Sequence, residues 1–458
     1  MQDYTTTLTH RELLNIMIAA WFTPGRKGSA AVATNDTAAP RGRSAADTAD
    51  TPDADTAPTD AAWVREHGAA IPFGLNLLVW DEPGTGKTSA VELLGWVCGF
   101  DHVQTIALNN RAPEDVGGYA VPNKTRTGMT KLPDGWVDAA NGARRSLVVF
   151  DEFTVDEDRQ AAALRVFSER MAGEFRILPH VRTVALANPP MCAATPNEIT
   201  PPNANRFGHC TFVPFSEDEF GDWLIAGAGS QEIEQIDPDA HEARILAAWP
   251  EAFGKAAALV KGYLRRFPHH LHQMPKGQGF RNPGDGEEDN LRWASRRIWE
   301  NVARAVASAE CHGLTEVETD SFIGFFLPAG IAAGFNTFRR EQDIPEPRAL
   351  LTGNAKFRIT PKVDRTFAVL EMCAGFLANT TDPARVDMAR VWWGLAAEVL
   401  EHTHGGKDFV VPSAKIMARP KAKGGAGLGQ DVVPEAAPVV TALYDVLAAE
   451  RDAKRAAK

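Results

Sequence analysis

The sequence predicts an α/β fold built on a parallel sheet and followed by a helical region. Three observations predict it. Between about residues 63 and 215, short apolar runs alternate with helical segments, the pattern of strand–helix–strand units. One of these runs, Leu75–Trp80, leads directly into a glycine-rich turn and then a helix. Beyond about Ser216 the strand signal fades, and residues 217–265, 289–312, 318–341 and 364–402 carry mostly helical spacing.

The chain has 458 residues, enough for two or three domains and a large buried core. Its 48 Lys+Arg against 59 Asp+Glu give a net charge of −11, so binding to a phosphate backbone would need a local basic patch. Hydrophobic residues at 44% with 23% charged fit a soluble globular protein and exclude wholesale disorder. The five cysteines (Cys98, Cys192, Cys210, Cys311, Cys373) never form a CxxC pair, which argues against a disulfide framework and fits a reducing, cytoplasmic setting. The most apolar run, Phe322 to Phe335, falls short of the roughly 20 residues a membrane span requires and contains Pro328.

Residues 1–24 form an N-terminal segment in which Leu13 to Phe22 is apolar. It follows Glu12, lacks a basic leader and contains Asn15, so it reads as a short amphipathic helix rather than a signal peptide. Thr9 and Glu12 have capping-box spacing, with Leu8 and Leu13 placed as a hydrophobic staple. Residues 25–62 have Val32 as their only large aliphatic side chain, the composition of a disordered linker. Two docking places are therefore open to the first helix, its own core or a neighbouring subunit.

The α/β core is expected over 63–215, with strands at Leu75–Trp80, Val103–Leu108, Ser146–Phe150, Thr183–Ala187 and Cys210–Val213. Helices are expected after Gly86 and near Asp158. Helical regions follow over 216–345 and 346–410. A flexible basic linker is expected at 411–433, with Lys415, Arg419, Lys421 and Lys423 beside Gly424–Gly429, and then a C-terminal helix over 434–458.

The strongest local signal is Asp81-Glu82-Pro83-Gly84-Thr85-Gly86-Lys87-Thr88-Ser89, between an apolar strand and a helix. That is the context of a P-loop. Gly84 and Gly86 let the backbone wrap a phosphate, and the helix N-terminus supplies positive potential. Lys87 would reach the β/γ-phosphates and the Thr88 hydroxyl would ligate Mg²⁺. Asp81 occupies the place of the usual first glycine. A carboxylate turned away leaves binding intact, whereas one turned inward weakens it.

Three further elements gain meaning beside this loop. Ser146–Glu152 is an apolar strand ending in two acids, where Asp151 would hold Mg²⁺ through water and Glu152 would polarise an attacking water. Thr183–Pro190 presents Asn188 at a strand's carboxyl end, placed to bridge the γ-phosphate and that water. Pro202–Gly208 carries Arg206 just before the last core strand, placed to reach a neighbouring subunit's site. Alone, these are an acidic strand end, an Asn-Pro turn and a surface arginine.

In this order, the four elements resemble AAA+ ATPases, and most closely the MoxR-like branch. The resemblance covers about Leu75 to Phe215 and rests on EPGTGKT (Glu82–Thr88), FDE (Phe150–Glu152), ANPP (Ala187–Pro190) and ANRF (Ala204–Phe207). Pro113–Tyr119 also looks like that branch, where a Gly-Gly segment precedes a pore-side insertion. The resemblance implies a five-stranded core and a helical lid over 216–345, with ATP and Mg²⁺ between them. It implies nucleotide contacts from Glu82 through Ser89 and from Asp151, metal ligation by Thr88 and Asp151, and catalysis by Glu152, Asn188 and Arg206. Asn109 or Asn110 resembles the polar switch that restrains the catalytic glutamate, and Arg292, with Arg281 as alternative, the second sensing arginine. Such proteins usually assemble as hexameric rings, often beside a partner with a von Willebrand factor A domain, and remodel or activate a protein client.

Two other functions run on the same core. A nucleic-acid motor or loader would use Lys124, Arg126 and Lys131 in the insertion, against the acidity of the whole chain. A nucleotide-regulated scaffold with little turnover would exploit Asp81. His269, His270 and His272 read as a polar loop rather than a metal site, and Trp293, Trp299, Trp392 and Trp393 as core packing.

Overall fold

In the computed structural model the described residues are 8–25, 73–123, 125–192, 197–226, 235–274, 291–341, 346–357, 359, 363–380, 382–403, 406–421 and 425–443. They group into two units, 1–243 with 277–292 and 244–276 with 293–458. The first unit starts with α1 (His10–Trp21), β1 (Leu77–Trp80), α2 (Lys87–Val97) and β2 (His102–Ala107). It continues through α3 (Pro113–Gly117), β3 (Tyr119–Pro122), β4 (Met129–Leu132), α4 (Gly135–Gly142), β5 (Ser146–Asp151) and α5 (Glu157–Glu169). Then come β6 (Met171–Ala172), β7 (Phe175–Arg176), β8 (Val181–Ala187), α6 (Pro201–Ala204), β9 (Gly208–Thr211) and α7 (Glu217–Ala226), and the first residues of α8 (Pro238–Arg266).

Five of these strands form one parallel sheet in the order β2-β5-β8-β1-β9. This is the α/β fold the sequence predicts, and every expected strand is present with its ends shifted by at most two residues. The central strands are apolar throughout because both faces are covered: Leu77, Leu78 and Val79 on β1 and Leu147 through Phe150 on β5 are fully buried. Register places the site. Trp80 pairs with Ala187 and Phe150 with Ala185, so Asp81, Asp151–Glu152 and Asn188 emerge together at the carboxyl edge, where parallel sheets bind ligands. Two short hairpins, β3–β4 and β6–β7, stand outside the sheet and outside the expectation. The β3–β4 hairpin fills the place of the expected insertion and exposes Tyr119, Met129 and Leu132.

Helix α1 docks on its own core. Thr9 caps it, and Glu12 accepts from the Thr9 backbone N–H at 2.7 Å, completing the capping box. Leu13, Ile16, Met17 and Trp21, with Phe22 beyond the helix end, are fully buried, each contributing about 1.5–3 kcal/mol. His10 Nδ1 lies 2.5 Å from the Val213 carbonyl, and the ring packs against Phe212 and Phe215. The expected linker 25–62 lies outside the described residues apart from Gly25.

The second unit holds the rest of α8 with α9 (Arg296–His312), α10 (Glu316–Gly324), α11 (Ala329–Glu341), α12 (Pro347–Leu351), α13 (Val363–Asn379), α14 (Arg385–His402), α15 (Gly406–Ala418) and α16 (Ala437–Ala442). The expected boundaries fall at 215/216 and 345/346; by packing, α7 groups with the sheet in the first unit, and the described residues of 346–410 group with the helices of the second. The linker expected at 411–433 is corrected. Its first residues are helical in α15, and Val411, Ala414, Met417, Ala426, Leu428 and Val433 are buried in the second unit's core. The returning strand of backbone is fixed by Ala426 N–H to Ile416 O and Leu428 N–H to Met417 O, each 2.8 Å. Of the basic residues, Arg419 and Lys421 are exposed and Lys415 is half-buried, while Lys423 lies outside the described residues. Trp293, Trp299, Trp392 and Trp393 are buried as expected. Trp392 and Trp393 each donate an indole N–H to a backbone carbonyl at 2.9 Å. The C-terminal helix begins with a tight turn at Pro434–Ala436 and continues as α16; residues 444–458 lie outside the described set. No helix among the described residues is long and apolar enough to cross a membrane.

Candidate active site

The loop from Asp81 to Gly86 joins β1 to α2. Gly84 and Gly86 take φ of 87° and 90°, values that glycine adopts without strain. Gly86 is the N-cap of α2 and brings no side chain to the helix end, so the first-turn N–H groups stay available to an anion. Glu82, Pro83, Gly84, Gly86 and Ser89 are exposed around this end, with Thr85 half-buried.

Lys87 is buried, and its ammonium folds back under the loop. It donates to the carbonyls of Asp81 at 3.0 Å and Glu82 at 2.8 Å and to Asn188 Oδ1 at 3.0 Å. Burial lowers its pKa below the usual lysine value, opposed by the nearby charges of Asp81, Asp151 and Glu152. Sequence reasoning missed the two loop carbonyls, because every residue carries one. Asp81 Oδ2 is buried without a hydrogen-bond partner.

Asn188 has a second contact: its Nδ2 donates to Glu152 Oε1 at 3.2 Å. One amide thus joins Lys87 of the loop to the candidate base Glu152. Glu152 itself has φ of 56°, a left-handed conformation that costs a non-glycine residue of order 1–3 kcal/mol. The surroundings hold it there. The Glu152 N–H donates to Asp151 Oδ1 at 2.8 Å, the next N–H, on Phe153, donates to Leu186 O at 2.9 Å, and Phe153 is fully buried. Thr88 Oγ1 donates to Asp151 Oδ2 at 2.8 Å. The two expected metal ligands are therefore neighbours, as suits Mg²⁺ held by one or two protein groups plus phosphate and water. Asn109 and Asn110 lie exposed in a tight turn after β2, so the amide that restrains Glu152 in this structure is Asn188 rather than either of them.

Arg206 follows α6 on a turn, half-buried, its guanidinium donating to the Pro202 carbonyl. The turn is anchored on both sides. Phe207 packs edge-on against Phe153 and Phe167, at 5.1 and 4.7 Å between ring centroids. His209 accepts from Trp80 Nε1 at 3.1 Å, which leaves its other ring nitrogen to donate to Ala204 O at 2.9 Å. Arg292 stands four residues ahead of α9 rather than on it, and donates to His209 O of β9 at 2.9 Å. Arg281 and Lys124 lie outside the described residues.

No family model matches the sequence, and no curated protein matches it. Among solved structures, the chain resembles one from Cytophaga hutchinsonii described as "a putative ATPase", at 12% identity and a TM-score of 0.38, over 58% of this chain and 84% of that one. A likeness this loose carries no argument, and the functional reading rests on the site itself.

Proposed function

We propose that the chain is a Mg²⁺-dependent ATPase of the MoxR-like AAA+ type, assembling as a ring, in which hydrolysis remodels or activates a partner protein. The observation that supports it best is the pair of contacts on Asn188, to Lys87 and to Glu152, beside the Thr88–Asp151 pair at the carboxyl edge of the sheet. A triphosphate on the loop offers Lys87 charged acceptors in place of neutral ones. Thr88 and Asp151 would hold Mg²⁺, which supplies neutralisation of phosphate charge. Asn188 is then free to orient a water that Glu152 polarises, and Arg206 acts on the neighbouring subunit's nucleotide.

The test is phosphate release by the purified full chain. Glu152→Gln retains ATP binding and loses turnover by about 10²–10⁴-fold, the range of a general base. Arg206→Ala also binds ATP without turning it over. Mixing the two inactive variants restores activity, because some interfaces then combine an intact Glu152 with an intact Arg206. Arg206→Ala with normal turnover ends the shared-site reading. Addition of a slowly hydrolysed ATP analogue shifts the particle from monomer to ring, read by sedimentation.

Asp81 supports a second reading. Its carboxylate lies close enough to Lys87 to oppose the burial that lowers the lysine's pKa, and the same charge repels a polyphosphate. A protein that binds nucleotide and changes assembly without releasing phosphate would fit that reading.

A further inference from the structure

The second unit contains an open groove of about 800 Å³ that no part of the ATPase reading uses, within the roughly 300–1,000 Å³ of typical ligand sites. One side is α8 from Phe253 to Arg265, and α9 contributes Arg296, Trp299 and Glu300. The floor is apolar and aromatic, with buried Trp299 and Phe367 beside half-buried Phe253. The exposed charged residues of the lining are the cations Lys261, Arg265 and Arg296 and one carboxylate, Glu300.

Three features limit what can occupy it. The first is length: twelve helical steps along α8 span roughly 18 Å, the length of about three turns of a docked helix. The second is charge. Lys261 pairs with the buried Glu371 at 2.6 Å. Counting Glu371 with the lining, three cations face two carboxylates, Glu300 and Glu371. Arg296 is the first residue of α9, so the positive end of that helix adds to the same rim. The third is rigidity. Arg265 lies over the rings of Phe367 and Phe409, 4.4 and 4.7 Å from their centroids, which fixes one cation at the groove wall before any ligand arrives.

We propose that this groove docks an acidic amphipathic helix of a partner protein, with apolar side chains on the floor and carboxylates on the rim. A nucleic acid matches the rim but not the aliphatic part of the floor, and a basic peptide matches neither. The inference is independent of nucleotide chemistry.

The experiment uses the full chain and fluorescein-labelled synthetic peptides of fourteen residues. One carries Leu at i, i+3, i+4, i+7 and i+11 with Glu on the other face; the second has Lys at every Glu position. Fluorescence anisotropy shows the Glu peptide binding at least tenfold more tightly than the Lys peptide. Arg296→Glu, a change at an exposed site, weakens the Glu peptide about tenfold and strengthens the Lys peptide. That reciprocal change separates loss of complementarity from loss of fold. Equal affinity of the two peptides overturns the proposal, as does Arg296→Glu leaving the Glu peptide unaffected. Displacement of the Glu peptide by a 14-nucleotide oligo-dT at equal concentration also overturns it and reassigns the groove to nucleic acid.

Discussion

Strand β8 carries a buried polar device at each end, and the two are built on opposite principles. At the amino end, Arg182 is 1% exposed and paired: its guanidinium donates to Glu242 Oε1 at 2.6 Å and to the carbonyls of Trp21 and Pro179 at 2.8 and 2.9 Å. Phe73 lies beneath it, 4.9 Å from ring centroid to guanidinium carbon. At the carboxyl end, Lys87 meets Asn188 and two loop carbonyls, all neutral acceptors. A buried cation with a carboxylate partner is a fixed joint, and here it fastens α1 and the start of α8 to the sheet. A buried cation resting on neutral acceptors can exchange them for a polyanion. The first device is a structural joint and the second is the proposed phosphate site, although both are basic side chains removed from water.

Substitution of Lys87 is the sharpest way to break this contrast. Lys87→Met is expected to lower ATP affinity by at least about 10²-fold, since it deletes the charge that answers the phosphates. Its cost to folding is expected to be smaller than that of breaking a buried ion pair. The desolvation that depresses the lysine's pKa disappears with the charge, and this offsets the donors lost to Asp81, Glu82 and Asn188. Calorimetric titration with ATP and thermal unfolding of the same sample check both halves. A variant that melts much lower yet, where still folded, binds ATP with unchanged affinity would reverse the assignment.

Arg182→Met should show the mirror image. Breaking a buried ion pair by removing one partner costs about 3–5 kcal/mol. The lower end applies here, because Arg145 still holds the other Glu242 oxygen at 2.7 Å. The melting temperature falls, while ATP affinity, measured where the variant remains folded, stays within about twofold for sites this independent. Loss of ATP binding by the folded variant would mean that the two ends of β8 are coupled.

The two ends also differ in how far the sequence revealed them. The carboxyl end was legible. A loop of fixed spacing, a strand ending in Asp151-Glu152 and a strand ending in Asn188 are local patterns, and parallel pairing brings their ends together. The left-handed backbone of Glu152 left no trace, because no glycine or asparagine marks the position. The amino end was illegible. Arg182, Glu242 and Trp21 come from three distant parts of the chain and only the fold makes them neighbours. The same reason hid α15, where Pro412 and the flanking basic residues masked a helical period that the second unit's core makes plain.

The finest discrimination concerns Asp81, whose charge acts on both the lysine and its ligand. At neutral pH, Asp81→Asn removes a half-buried carboxylate beside the proposed phosphate site and should tighten ATP binding three- to tenfold, about 1 kcal/mol for a charge partly neutralised by the adjacent Lys87. The same change removes the strongest of the charges that hold Lys87 protonated. The lysine's folded pKa is already below its ordinary 10.5. The charged form therefore costs stability at neutral pH, a cost relieved as pH rises through the lowered pKa toward 10.5. ATP affinity moves the other way, falling as the ammonium is lost. Asp81→Asn lowers that pKa further, so its affinity begins to fall at a less alkaline pH than the wild type's. The two affinity profiles, tightest for the variant at pH 7, should converge as pH rises toward 10. Parallel profiles would show that Asp81 acts on the nucleotide alone and that Lys87 remains fully charged throughout. In that case burial at the carboxyl end of β8 would resemble burial at the amino end more closely than the hydrogen bonds suggest.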